Sequence, residues 1–571
     1  MNSGTRQPVM PPGVGIDPGT RIPLRDGIHL SAIVARQRDS TCGPVIVTMT
    51  PYGADRYVEP ALFFARNDYT FVVVDVRGRG NSEGHFDALR QEADDTSDVI
   101  GWLAEQPWCN GAIGMWGGSY AGFNQWAAAR SGPGALKTIV PASAAFPGVD
   151  IPFWRNIYPM YEFQWQTLTG GVTNNANLAA LSDYWNEVFL RRYEEHLPFS
   201  ETPKLAGNPN MPTEWMQHPH PCQYWDDMVP TKSEFADIDI PILSVTGHYD
   251  VDQPGAMEFY RRHMTYGCDS SKAAHYLIIG PWDHAGTRTP NRDVGGITFV
   301  EASMLDINEL HLQWFDWLMK DGTRPEFLQN RIAYYVAGAE KWAYAGSLAG
   351  IGAERERRYL ESNDGETDGT SNVGRLAAGE PAATSQPSRY RYDPLDVRQG
   401  RWEMGLGPNY LSDENTTEAL FGNGLVYETE AFADPVEMAG YPRFVAWMSL
   451  DVPDTDFEVM ISVVMPDGKL IKLSRDMLRA RYRKSPRTAE LVTPGTIVEY
   501  EFTGFYFVAR RFETGSKLRL TLRCPNSIYV QKNYNSGGEV INECGEDARV
   551  ATVAVFEGQE FPSYLELPVN K

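Results

Sequence analysis

The run Gly114-Met115-Trp116-Gly117-Gly118-Ser119-Tyr120-Ala121-Gly122 constrains this chain more than any other segment. A glycine-flanked serine between an apolar run and a helix-like run reads as a strand-to-helix elbow that holds the hydroxyl out of a tight bend. A serine hydroxyl is a weak nucleophile until geometry and a base activate it, so such an elbow implies a sheet beneath it and a base beside it. The G-x-S-x-G pattern would put glycine at position 121, where this chain has Ala121 followed by Gly122. Alanine is small enough for the elbow to pass its neighbouring strand, which weakens the pattern without breaking it. A serine between glycines is, taken alone, more often an ordinary turn, so the reading depends on partners elsewhere in the chain.

Those partners occur in the order Ser, acid, His, each after an apolar strand, as a parallel α/β sheet requires. Ile240-Pro241-Ile242-Leu243-Ser244-Val245-Thr246-Gly247 reads as a buried strand followed by His248-Tyr249-Asp250. Tyr276-Leu277-Ile278-Ile279-Gly280 is the next, followed by Pro281-Trp282-Asp283-His284-Ala285-Gly286. Asp250 is therefore the candidate acid and His284 the candidate base, with Asp252 in reserve and His248 and Asp283 as competitors by position. In this reading His284 takes the Ser119 proton during attack on a carbonyl carbon, Asp250 orients the imidazole, and water releases the acyl-enzyme. The backbone N–H of Tyr120 is one candidate oxyanion donor. The Tyr52 hydroxyl is the second, because Pro51-Tyr52-Gly53 follows the early strand Pro44–Thr50. A loop aromatic packed on the sheet is the plainer reading of Tyr52.

With these residues in view, the chain resembles the cocaine-esterase and X-prolyl dipeptidyl-peptidase family of serine hydrolases. The likeness rests on T-P-Y after the early strand, D-V-R-G-R-G-N-S-E-G, G-M-W-G-G-S-Y-A-G, G-H-Y-D and G-P-W-D-H-A-G, and it spans nearly the whole chain. It implies Ser119, Asp250 and His284 as triad and Tyr52 with the Tyr120 N–H as oxyanion hole. It also implies an α/β-hydrolase sheet, an inserted helical cap and a C-terminal all-β jelly-roll sandwich. The departures at Gly118 and His248-Tyr249-Asp250-Val251-Asp252 bear on substrate choice more than on chemistry.

The rest of the chain fits that organisation. A length of 571 residues exceeds one hydrophobic core and predicts two or three domains. Their expected extents are 1–145 with 237–345 for a discontinuous catalytic domain, 146–236 for the cap, and 346–571 for the sandwich. A hairpin is expected around Arg25-Asp26-Gly27, and amphipathic helices over Thr96–Gln106 and Leu305–Lys320. In the insert, Trp154, Tyr158, Tyr161 and Trp165 recur at helical spacing, but Pro159 breaks a single helix. Leu178, Leu181, Trp185, Val188 and Phe189 predict one amphipathic stripe. Trp154 and Trp165 are candidate pocket walls for an apolar or aromatic group, although such rings more often form a cap's own core. Asp226 and Asp227 read as a solvated pair. Asn363–Ser388 reads as a long surface loop. Period-two runs at Arg443–Leu450, Phe457–Met465, Leu470–Leu473, Thr496–Phe502, Lys517–Arg523 and Val550–Phe556 predict strands, with a turn at Pro466-Asp467-Gly468.

Several classes of function are disfavoured. A formal charge of −23 repels nucleic acid. No apolar run approaches membrane-spanning length. Arg77–Gly84 gives G-x-G-x-x-x-G with no helix directly after it, which argues against a dinucleotide cofactor. The six cysteines lack metal or disulfide spacing, so neither metal nor cofactor is expected. Met1–Pro12 lacks the apolar core of a secretory signal, which favours the cytoplasm. A small-molecule ester or amide is the expected partner, with a homodimer compatible. An X-prolyl or aminoacyl peptidase, an amino-ester hydrolase and a non-hydrolytic acyl-transfer or rearrangement enzyme are the alternatives, and fold alone does not separate them.

Overall fold

The computed structural model describes residues 13–362, 373–381, 383, 386–404, 409–412 and 423–570. Strands β1 (Val14–Pro23) and β2 (His29–Gln37) form the hairpin expected around Arg25-Asp26-Gly27, with Pro23 opposite His29 and Gly27 at φ +88°. Then come β3 (Gly43–Thr50), β4 (Thr70–Asp75), β5 (Cys109–Gly118), β6 (Leu136–Ala142), β7 (Ile242–Tyr249) and β8 (His275–Asp283). A separate two-stranded hairpin holds β9 (Asp293–Val294) and β10 (Ile297–Thr298), and β11 (Ile332–Val336) and β12 (Lys341–Ala345) follow. In space the main sheet runs β1-β2-β4-β3-β5-β6-β7-β8-β11-β12. From β4 to β11 every neighbouring pair is parallel, and the pairs beyond them are antiparallel.

Alternation along the central strands explains why these runs are apolar throughout. Val45, Val47, Val72 and Val74 pack with helices α2 (Glu92–Ala104) and α3 (Tyr120–Arg130) on one face. Ile46, Phe71 and Val73 pack on the other with Phe64 of α1 (Val58–Arg66) and with Trp314 and Phe315 of the helix Ile307–Met319. A parallel sheet covered on both faces favours apolar residues along its strands, with the few polar ones small and hydrogen-bonded, and the site lies at the strand ends. α2 begins at Glu92, four residues before the expected Thr96, because its first turn carries Glu92, Asp94 and Asp95. Acidic residues there favour a helix N-terminus but leave no apolar periodicity to read.

Between β6 and β7 the chain leaves the sheet and builds the cap. The aromatic run expected at helical spacing splits: α4 (Tyr161–Leu168) carries Trp165, whereas Trp154 lies in an isolated bridge with Ile157. The stripe expected from Leu178 to Phe189 also splits. The helix Ser182–Glu194 buries Trp185, Val188 and Phe189, while Leu178 and Leu181 stand exposed before it. The cap is stitched to the C-terminal region by backbone bonds, Met160 N–H to the Tyr529 carbonyl and Gln531 N–H to the Tyr158 carbonyl, both 2.8 Å.

The C-terminal region is a β-rich domain, with thirteen hydrogen-bonded strands among the described residues, around its own core, which includes Phe444, Phe457, Ile461, Leu520 and Val553. The strands Asp456–Val464 and Leu470–Arg479 pair across the Pro466-Asp467-Gly468 turn, where Gly468 takes φ +88°. Within the segment expected as loop, Val373–Ala377 is a strand, and residues 363–372, 382, 384 and 385 lie outside the described residues. Among the described residues, no helix is long and apolar enough to cross a membrane and no His/Cys/Asp/Glu group is arranged to hold a metal.

The elbow glycines are set by contact. A Cβ on Gly122 would stand 2.7 Å from the Ala142 carbonyl oxygen and 3.0 Å from the Ala144 Cα. Gly122→Ala therefore has to push α3 off β6, at a cost of about 1–3 kcal/mol. The expected outcome is a lower thermal unfolding midpoint together with reduced activity.

Candidate active site

At the C-terminal end of β5 the backbone turns sharply, and Ser119 sits at φ 62°, ψ −125°. This is a costly conformation for a residue with a side chain, on the order of 1–3 kcal/mol. Hydrogen bonds on both sides hold it. The Ser119 N–H donates to the Ala142 carbonyl at 2.9 Å, and the Ser119 carbonyl accepts from Gly122 and Phe123 at 2.8 and 3.0 Å. Gly117 explains why Ala121 is tolerated: a Cβ on Gly117 would lie 2.7 Å from the Ala121 Cβ, so that space is already taken from the other side. Gly118 leaves room for the Arg288 side chain, whose Nη1 would be 2.4 Å from a Cβ there. Because Tyr120 opens α3, its amide is among those with no partner inside the helix.

The turn after β7 places Asp250, and the turn after β8 places His284, whose Nδ1 is 2.9 Å from Asp250 Oδ1. With a carboxylate at Nδ1, that nitrogen carries the proton and Nε2 is left as an acceptor. Asp250 is fully buried and also accepts from the Thr246 hydroxyl at 2.9 Å, the Asp252 amide at 3.0 Å and the Ser143 side chain. Burial pushes its carboxyl up, but the bond and charge of His284 with these other donors hold it below the usual carboxylate range. Asp252, the reserve acid, comes within 3.6 Å of the same His284 nitrogen. Burial, reinforced by the charges of Asp150 and Asp250, pushes the Asp252 carboxyl up, while the charge of His284 opposes that. His284 feels opposing effects: burial lowers it, while Asp252 and Asp250 outweigh that and raise it. Asp283 instead accepts the Gly286 amide at 2.8 Å, and His248 is buried against Phe507 and pushed down to about 3 by burial.

Tyr52 lines the same cavity as Ser119, and its hydroxyl is near enough to interact with the serine side chain. Its phenol oxygen also accepts from the Trp165 indole N–H at 3.1 Å. Burial pushes the phenol up to about 12, so it stays protonated and able to donate. Trp165 is held rigidly, stacked between Tyr120 and Trp215 with interplanar angles of 19° on each side. The tyrosine loop is latched to the cap by Arg79, fully buried, whose guanidinium donates to the carbonyls of Pro51, Leu168, Gly171 and Thr173. The R-G-R-G segment thus acts as a clamp on the Tyr52 loop.

Ser119, Tyr52, Tyr120, His284, Trp154 and Trp165 all line one cavity of about 610 Å³. Asp226 and Asp227 are not among its walls, and Asp226 pairs with Arg487 instead. The cavity brings in residues that sequence reading passed over: Asp150, Glu162 and the sandwich residues Met460, Met477 and Tyr506. Glu162 is buried, and its Oε2 has no hydrogen-bond partner. Its only signal in the sequence was an acid on the inward side of α4, next to a predicted pocket aromatic.

A family model described as X-Pro dipeptidyl-peptidase (S15 family) matches residues 26–286. A second, the X-Pro dipeptidyl-peptidase C-terminal non-catalytic domain, matches residues 322–566. This chain belongs to the cocaine-esterase and X-Pro dipeptidyl-peptidase family. As a member of that family it is a serine hydrolase of ester or amide bonds. The cocaine esterase of Rhodococcus sp. (strain MB1 Bresler) is 26% identical over 573 residues, covering 96% of this chain and 98% of that protein. Two solved structures share the fold. An α-amino acid ester hydrolase superposes with TM-score 0.82 at 21% identity over 100% of this chain and 99% of the other. An aminopeptidase from a marine sediment Thaumarchaeota archaeon gives 0.79 at 22% identity over 99% of each chain.

The two carboxyls facing His284 set the pH response. With the imidazole raised above its ordinary 6.5, the neutral base is lost as pH falls through that higher value. The acid limb of kcat/KM is expected above pH 6.5. Asp252→Asn removes one raising charge, so the limb should move to lower pH, as measured in a pH–rate profile with a neutral ester.

Proposed function

We propose that Ser119, His284 and Asp250 form a catalytic triad that cleaves a small-molecule ester or amide through an acyl-enzyme. The observation that carries this reading is the arrangement on a single cavity wall: a strained, outward-held serine, and a histidine fixed at Nδ1 by a buried carboxylate 2.9 Å away. His284 Nε2 takes the Ser119 proton as the oxygen attacks the carbonyl carbon, and returns it to the leaving group. Asp250 keeps the tautomer and stabilises the imidazolium. The developing oxyanion is met by the Tyr120 N–H and the Tyr52 O–H. Because the Trp165 indole donates to the Tyr52 oxygen, it leaves the phenol hydrogen free to point at that oxyanion. Water then repeats the sequence on the acyl-enzyme, with His284 again as base.

The cavity volume suits a single small substrate. The walls Trp154, Ile157, Trp165, Met460, Met477 and Tyr506 support an apolar or aromatic group in it. The Rhodococcus relative, named a cocaine esterase, is consistent with this preference. The free thiols of all six cysteines support a cytoplasmic setting as part of the same proposal.

A second reading, an amino-ester hydrolase or aminopeptidase, is favoured by one feature. The unpartnered carboxyl oxygen of Glu162 and the nearby Asp252 would welcome an ammonium group beside the reacting carbonyl. It agrees with the names of the two structural neighbours. If it holds, aminoacyl esters will be preferred over their desamino analogues, and Glu162→Gln will abolish the preference.

Two measurements test the chemistry itself. A fluorophosphonate probe should add one adduct, on Ser119, by intact-mass analysis, and no adduct there would overturn the acyl-enzyme reading. Tyr52→Phe keeps the ring and removes the donor, so kcat should fall by about 10²–10³. An unchanged kcat would remove Tyr52 from the oxyanion hole.

A further inference from the structure

The chain leaves β6 through a strained residue. Ser143 follows Ala142 at φ 46°, in the left-handed region that is unfavourable for a residue with a side chain, and it is fully buried. Glycine would take that bend freely, so the backbone gives no reason for a serine there. Its neighbours do. The Ala142 carbonyl accepts the Ser119 amide at 2.9 Å. One residue on, the Ser143 amide donates to the Val245 carbonyl of β7 at 2.8 Å. The Ser143 hydroxyl oxygen lies 2.6 Å from that of Thr287, in the loop after β8. The same side chain is near enough to Asp250 to interact with its carboxylate. The bend at 143 thus joins the strand ends that carry all three members of the proposed triad.

Counting hydrogens shows what this junction can do. Thr287 is fully buried, and its Oγ1 also lies 2.9 Å from the His284 carbonyl oxygen. Each hydroxyl carries one hydrogen, yet three contacts compete for them: Thr287 with the His284 carbonyl, Thr287 with Ser143, and Ser143 with Asp250. Two oxygens 2.6 Å apart need a hydrogen between them. If Ser143 supplies it, Thr287 bonds the His284 carbonyl and Asp250 goes without. If Thr287 supplies it, the Ser143 hydrogen is released to Asp250. A buried, ionised carboxylate is a stronger acceptor than a peptide carbonyl, so the second arrangement prevails.

We propose that Ser143 is a positioning residue of the hydrolytic reaction, whose hydroxyl, oriented by Thr287, donates to Asp250 and holds that carboxylate aligned with His284. This deepens the triad reading and rests on it. Neither Ser143 nor Thr287 lines the cavity, so both act through Asp250 and not on substrate. Charged groups face the Asp250–His284 pair from several elements: Asp252 of the same turn, Asp150 and Glu162 of the cap, and Arg288 after β8. The phenols of Tyr52 and Tyr506 stand beside them. Substitutions at 143 and 287 leave these groups unchanged.

Without the Ser143 hydroxyl, the negative charge of Asp250 is less offset and the imidazolium of His284 is favoured. Ser143→Ala and Ser143→Gly should each lower kcat about tenfold on 4-nitrophenyl acetate, with KM unchanged. Both should move the acid limb of kcat/KM up by about half a pH unit. Stability separates the two: Ser143→Gly relieves the bend and should melt above Ser143→Ala in scanning calorimetry. In Thr287→Val the Ser143 hydrogen still faces Asp250, so the limb should stay at its wild-type position. A limb that moves down in Thr287→Val would overturn the proposal, because Ser143 would then have been directing its hydrogen to Thr287. Wild-type kcat and limb in both Ser143 variants would also overturn it, as would activity that only follows the melting temperature with no shift of the limb. Failure of the triad reading looks different: the wild type does not turn over the ester, and Ser119 takes no fluorophosphonate.

Discussion

The backbone of Ser119 is the constraint to which the surroundings of the site answer. A side-chain-bearing residue at φ 62° persists only because its carbonyl accepts from the Gly122 and Phe123 amides, its own amide donates to the Ala142 carbonyl, and glycines at 117, 118 and 122 let other groups come close. That bend turns the hydroxyl away from the sheet while its amide remains in the ladder beside β6. The crowded parallel sheet is what makes the bend affordable, since β5 is buried between two neighbours and has no freedom to relax.

Around that bend, three parts of the chain each supply one component of the cavity. The sheet supplies the proposed nucleophile, base and acid at the ends of β5, β8 and β7. The cap supplies Trp165, which braces Tyr52, and the buried Glu162 in the cavity wall. The β-rich domain supplies Met460, Met477, Tyr506 and a far wall of mixed charge. Its role is therefore more than buttressing: chemistry sits on one domain, while the far end of the pocket is set by another.

The sheet and the candidate triad were legible in the sequence because their signals are local. An apolar run closed by glycine and followed by Asp250 or His284 carries both the strand and the position of the side chain. Tyr52 was legible only as a position after β3, and its contacts with Ser119 and Trp165 depend on a residue 113 positions away. The cap was read less well. Trp154 and Trp165 share a spacing that suits one helix, yet Pro159 and pairing with Tyr529–Gln531 divide the segment. Leu178 and Leu181 continued an apparent stripe that the fold leaves exposed. The far wall of the cavity had no local signature at all, since Lys472, Arg475 and Arg523 alternate with apolar residues as any half-buried strand would.

The Arg79 clamp links the heat tolerance of activity to the cap. One guanidinium ties the carbonyl before Tyr52 to three carbonyls at the end of α4. Loosening of the cap on warming would release the phenol from its place beside Ser119 while the sheet stays intact. Inactivation would then begin as a local opening and precede cooperative melting, so the temperature at which turnover ceases is governed by a small aromatic lobe and not by the large β core.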